Sequence, residues 1–156
     1  MKIVVLAGGT STERDVSIVS GTMVCRALRE KGHQALLVDV FCGVEVPQVD
    51  EELFLEEYDV EQAAAYMRSF NGRLKEIQDG RREFFGPNVL ALCQYADMVF
   101  LALHGANGED GKIQAAFDLF GIRYTGTGYL SSAIAMDKAL TKQFFREHQV
   151  PTPAGV

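Results

Sequence analysis

The sequence predicts an α/β fold: a Rossmann-like, three-layer domain with a mostly parallel, doubly wound sheet. Three observations predict it. Short apolar, β-branched runs at Ile3–Ala7, Gln34–Val40 and Asp97–Leu103 alternate with segments of helical period. The first and third runs end in glycine-rich polar loops, Gly8–Asp15 and His104–Gly111, and the strand ends of such sheets are where ligands sit. The 156 residues suit one domain, long enough to bury a real core.

Each element follows in order. Ile3–Ala7 is short, continuous and closed by Gly8-Gly9, the mark of a buried parallel strand. Asp15–Lys31 sets Val16, Val19, Met23, Ala27 and Leu28 at helical spacing, with Gly32 as its stop. Gln34–Val40 is the second strand, so strand, glycine turn, helix and strand form a right-handed βαβ unit. Phe41–Glu57 is acidic and aperiodic, a loop carrying at most a short edge strand. Val60, Ala63, Ala64, Met67, Phe70, Leu74 and Ile77 recur as on one amphipathic helix, broken at Asp79–Arg82. Pro87–Tyr95 reads as a short helix with Pro87 in its first turn. Asp97–Leu103 is the third strand. A helix from about Asp110 to Phe120 is stopped by Gly121, and Ile122–Tyr124 is a further short strand. The last helix runs from about Tyr129 to His148 and ends before Pro151-Thr152-Pro153.

Composition narrows the function classes. Hydrophobic residues make up 47% of the chain, which excludes wholesale disorder. The net charge is −6 and no basic cluster occurs, so no nucleic-acid partner is expected. Cys25, Cys42 and Cys93 are dispersed, with no C-x-x-C pair and no zinc spacing, and read as reduced thiols of a cytoplasmic protein. The N-terminal apolar run is about six residues, below the roughly 7–15 of a signal core. No stretch approaches the roughly 20 residues that span a bilayer, so no membrane association is expected.

Three segments carry candidate chemistry. Gly8-Gly9-Thr10-Ser11-Thr12-Glu13-Arg14-Asp15-Val16-Ser17 follows a strand and opens a helix, yet matches neither G-x-G-x-x-G nor G-x-x-x-x-G-K-[ST]. Glu13 and Asp15 would repel a pyrophosphate and suit an ammonium group, such as that of an amino acid. The same two carboxylates can equally serve the dipole of the first helical turn. In the second segment, Leu103–Gly111, His104 stands at a strand end and can donate to a substrate or phosphate, or act as a local structural hydrogen-bonder. Asp110 can cap the helix that follows. Third, Tyr124-Thr125-Gly126-Thr127-Gly128 turns tightly into a helix bearing Lys138, which by itself reads as a solvated lysine on an exposed face. If the first and third strands are neighbours, the first two loops face one crevice.

Taken together, the segments resemble the N-terminal signatures of D-alanine–D-alanine ligases: Ala7–Ser17, then Leu103-His104-Gly105 with Gly108-Glu109-Asp110-Gly111, then Tyr124–Gly128 with Ala135-Met136-Asp137-Lys138 and Lys142. The resemblance covers about Met1–Asp39 and Asp97–Val156. It implies an ATP-grasp ligase of peptidoglycan precursor synthesis. ATP phosphorylates the carboxylate of one D-alanine, and the amine of a second attacks the acyl phosphate, releasing phosphate. It further implies that Glu13 holds the first ammonium, that His104 lies by the reacting carboxylate or phosphate, and that Gly9 and Ser17 line the substrate site. Lys138 would reach the ATP phosphates. The family often has Glu at the place of Asp15, so Asp15 is given no direct role.

On this reading residues 1–150 are a substrate-binding domain with a helical insertion at about 58–95, and 151–156 begin a linker to a central ATP-grasp domain. ATP with Mg2+ (or Mn2+) would be bound by the whole enzyme, a homodimer, with no metal ligand in this chain and no activity from it alone. A ligase for D-lactate or D-serine as second substrate, and a non-catalytic α/β small-molecule-binding module, are the competing readings.

Overall fold

The computed structural model describes residues 1–54 and 57–155. Three strands, β1 (Lys2–Ala7), β2 (Gln34–Asp39) and β3 (Met98–Leu101), form one all-parallel sheet in the order β2-β1-β3. The helices are α1 (Arg14–Glu30), α2 (Val60–Ser69), α3 (Leu74–Gly80), α4 (Val89–Tyr95), α5 (Lys112–Phe120), α6 (Tyr129–Met136) and α7 (Lys138–Glu147). Alternate residues of β1 serve opposite cores, as a strand covered on both faces requires. Ile3, Val5 and Ala7 pack with Ile18 and Cys25 of α1 and Ala64 and Met67 of α2. Val4 and Leu6 pack with Val89 and Leu92 of α4 and Ile113 and Phe117 of α5. The three-layer, doubly wound expectation therefore holds.

β1 is the centre of the sheet. The chain leaves it to one side for β2 and returns on the other side as β3. This reversal is a topological switch point, where the C-terminal ends of adjacent parallel strands splay apart and open a crevice. The loops after β1 and β3 flank it.

Four boundaries differ from the sequence expectation. The helix expected across Val60–Ile77 is two, α2 and α3, joined by a 3-10 turn at Asn71–Arg73. Asn71 Oδ1 accepts from Arg14 Nε at 2.8 Å, and its Nδ2 donates to Asp15 Oδ1 at 2.8 Å, so the break supplies ties to α1. The helix expected over Tyr129–His148 breaks at Asp137, whose carboxylate caps α7 by accepting from the Leu140 amide at 2.9 Å. The short strand at Ile122–Tyr124 is reduced to one parallel bridge, Val99 with Tyr124. The Thr125 hydroxyl, accepting the Leu101 amide at 3.2 Å, ends that ladder. Among the described residues of Phe41–Glu57 there is no strand, only a 3-10 turn at Glu52–Phe54, and Leu55 and Glu56 lie outside the described residues.

α1 forms where expected but presents a different face to the sheet. Ser17, Ile18, Gly21, Thr22 and Cys25 are buried, whereas Val16, Val19 and Met23 are 56%, 49% and 63% exposed. The small residues let the helix lie close. A Cβ on Gly21 would fall 2.6 Å from Ala7 Cβ and 3.0 Å from Leu37 Cδ1.

Burial pushes the thiols of Cys25 and Cys93 up to about 12 and that of Cys42 to about 11. The reactive thiolate is therefore scarce at neutral pH. Iodoacetamide at pH 8 is expected to leave all three unlabelled in the native chain and to label all three in denaturant. Labelling of any one in the native state would show an opening that exposes it.

Candidate functional site

The crevice is built from its backbone outward. Gly8 and Gly9 take φ of +77° and +82°, turning the chain sharply at the end of β1. Beneath them lies a buried ion pair. Arg14 is 4% exposed, Asp39 at the end of β2 is 1% exposed, and Arg14 Nη2 stands 2.6 Å from Asp39 Oδ2. That oxygen is out of line for a hydrogen bond, so charge holds the contact. The other carboxylate oxygen, Oδ1, accepts the amides of Phe41 at 2.9 Å, Cys42 at 3.0 Å and, loosely, Gly9 at 3.4 Å. Arg14 Nη1 donates to the Gly9 carbonyl, and Nη2 to the Met67 carbonyl, each at 2.8 Å. The loop is thus tied at once to β2, α2 and the Asn71 turn.

The second loop folds on itself. Gly105 has φ +69°, and its amide donates to Glu109 Oε2 at 2.7 Å. Asp110 Oδ2 accepts the Asn107 amide at 3.0 Å and the Lys112 ammonium at 2.8 Å. Burial alone would raise the Asp110 carboxyl, but the hydrogen bonds from Lys112 and the Asn107 backbone bring it below its usual value. The cap of α5 is Gly111, φ +85°, one residue beyond the expected Asp110. Two acidic side chains are therefore consumed within the loop.

Glu13 is different. It is the N-cap residue of α1, yet its side chain makes no capping bond. No hydrogen bond or ion pair joins its carboxylate to the described residues. Instead it crosses to the second loop: a Cβ on Gly105 would stand 2.7 Å from Glu13 Oε2. The Ser11 hydroxyl donates to the His104 carbonyl at 2.8 Å and fastens the loops together. His104, half-buried, approaches Ser20 of α1, with 3.2 Å between Nε2 and Oγ.

The sequence-predicted site residues therefore divide. Glu13 and His104 lie on the two loops that meet at the switch point, with Glu13 Oε2 against Gly105, the residue after His104. Gly9 and Ser17 are both held by structural hydrogen bonds. Ser17 is fully buried; its hydroxyl accepts the Gly8 amide at 2.9 Å and donates to the Ala102 carbonyl at 2.7 Å, joining the ends of β1 and β3. The polar groups of Gly9 serve the ion pair. Lys138 is exposed at the first turn of α7 and bonds to none of these residues. Arg14 and Asp39 are what sequence reasoning missed. The signal was an arginine in the glycine loop and an aspartate ending an otherwise apolar strand.

A cleft of about 560 Å³ opens between the end of β2 and α2, lined in part by Leu37, Glu45, Tyr58, Tyr66 and Met67. It includes neither Glu13 nor His104. Size alone does not outweigh the convergence of two strand-end loops, so the crevice is the better candidate. Among the described residues no group of three or more His, Cys, Asp or Glu side chains is arranged to hold a metal ion, and no metal ligand is assigned. No helix among them is long and apolar enough to cross a membrane.

Comparison with known proteins bears on the same segments. The D-alanine–D-alanine ligase of Lacticaseibacillus casei is 47% identical over 158 residues, covering 97% of this chain and 43% of that protein. That of a Synechococcus strain is 38% identical over 153 residues, covering 98% of this chain and 35% of its own length. The chain thus spans well under half the length of these curated relatives. Among solved structures, the Coxiella burnetii D-alanine–D-alanine ligase superposes with a TM-score of 0.65 at 26% identity, over 99% of this chain and 44% of that one. The Bacillus anthracis enzyme complexed with ATP gives 0.63 at 25% identity, over 99% and 38%. The family model described as the D-ala D-ala ligase N-terminus matches residues 2–127. A match that takes in all three strands and both crevice loops means that the chain belongs to the D-ala D-ala ligase N-terminus family.

Proposed function

We propose that this chain forms the D-alanine-binding wall of an ATP-dependent D-alanine–D-alanine ligase. One observation carries the reading: the Glu13 carboxylate, without a protein partner among the described residues, lies against Gly105 beside His104 where β1 and β3 splay apart. An amino acid presents an ammonium and a carboxylate on one carbon. Glu13 takes the ammonium by a charge-assisted hydrogen bond, and His104 donates to the carboxylate. ATP supplies the phosphoryl group that activates this carboxylate, and the amine of a second D-alanine displaces it. The residues here bind and orient the first substrate. D-alanine-dependent phosphate release is not expected from this chain alone.

In an enzyme containing the chain, Glu13→Gln is expected to raise the KM for D-alanine roughly tenfold to a hundredfold, as loss of a charged hydrogen bond of about 1.5–3 kcal/mol implies. The KM for ATP should stay near its original value. Equal changes in both would reduce Glu13 to a structural residue.

A further inference from the structure

Ser20 stands on the crevice side of α1, one turn beyond Val16. Its hydroxyl makes a single contact among the described residues, to Nε2 of His104 at 3.2 Å. No described residue hydrogen-bonds to Nδ1. A neutral imidazole has one donor nitrogen and one acceptor, and the partner of one nitrogen sets the character of the other. A hydroxyl can donate or accept. When it donates to Nε2, the ring proton must sit on Nδ1, and Nδ1–H becomes a donor.

We infer that Ser20 is a positioning residue that holds His104 as its Nδ1–H tautomer, so that the neutral ring presents a hydrogen-bond donor to an anionic ligand in the crevice. The role of that donor rests on the reading of the crevice as a D-alanine site. The arrangement has a chemical use. A carboxylate, and the acyl phosphate formed from it, both need a donor rather than a lone pair facing them. With Ser20 in place His104 offers one without having to be protonated. If the ring is protonated, the hydroxyl turns to accept from Nε2–H, and Nδ1–H is unchanged. Without Ser20 the neutral ring is free to place its proton on Nε2, turning a lone pair toward the anion.

The test is long-range nitrogen–proton NMR on the 15N-labelled 156-residue chain, at a pH where His104 is neutral. The expected result is a pyrrole-type Nδ1 and a pyridine-type Nε2. Ser20→Ala should lose that dominance, giving a mixture or the Nε2–H form, while Ser20→Thr restores it. Ser20→Cys, a weaker donor at the same place, should fall between and serves if the alanine chain does not fold. A wild-type proton on Nε2, or a tautomer that ignores all three substitutions, overturns the assignment. No substrate is present, so failure of the crevice to take D-alanine would leave this result standing, and the reverse also holds.

Discussion

Arg14→Ala is expected to lower folding stability by about 3–5 kcal/mol, the usual cost of removing one partner of a buried ion pair. Against a total of about 5–15 kcal/mol for a domain, this is a large fraction of the stability. The physical reason is what remains behind. Asp39, 1% exposed, would keep three amides on or near Oδ1 but no cation beside Oδ2. The carbonyls of Gly9 and Met67 would also lose their donors. Arg14→Lys restores the charge but not the planar fork, so it should recover only part of the loss. Guanidinium unfolding measures both, as a lowered midpoint at constant slope. A loss under about 1 kcal/mol for the alanine variant would show that the pair contributes little beyond its own desolvation.

The same ion pair shows where sequence reading reached and where it stopped. The three strands were legible because each is a short, β-branched run bounded by glycine or a charged residue, and burial on both faces leaves no other use for such a run. The crevice was legible for a related reason: two glycine loops at the ends of parallel strands converge once those strands are neighbours. The orientation of α1 was not legible. Its apolar spacing at Val16, Val19 and Met23 points to one face, yet Arg14, Ser17, Gly21 and Thr22 lie on the other and are buried. Which face wins depends on a partner 25 positions away, Asp39, and on how closely Gly21 lets the helix approach Ala7. Neither is a local property. The break at Asp137 was local, an aspartate three residues before the amide it accepts, but unbroken apolar periodicity from Ala133 to Phe144 hid it. Glu13 gained its meaning only from the second loop, because by itself it looks like any acidic residue at a helix start.

Gly8→Ala should destabilise the chain about as much as Arg14→Ala, although it deletes no interacting group. Two effects act together. An alanine held at φ +77° is strained by about 1–2 kcal/mol. Its methyl would also stand 2.5 Å from Asp39 Oδ2 and 2.9 Å from Arg14 Nη1, so the carboxylate and guanidinium must separate. The buried pair is then broken from above, with both charges still present. If that is the route, the two substitutions act on one interaction and cannot add. The double variant Gly8→Ala/Arg14→Ala should be less destabilised than the sum of the single variants by more than about 1 kcal/mol, because Arg14→Ala has already vacated the space beside the methyl. Full additivity in the unfolding midpoints would mean that the strain at Gly8 is purely its own backbone's. In the sub-additive case the ion pair is what sets the shape of the turn before Glu13, and small residues at Gly8 and Gly21 are the condition for seating that turn against the sheet.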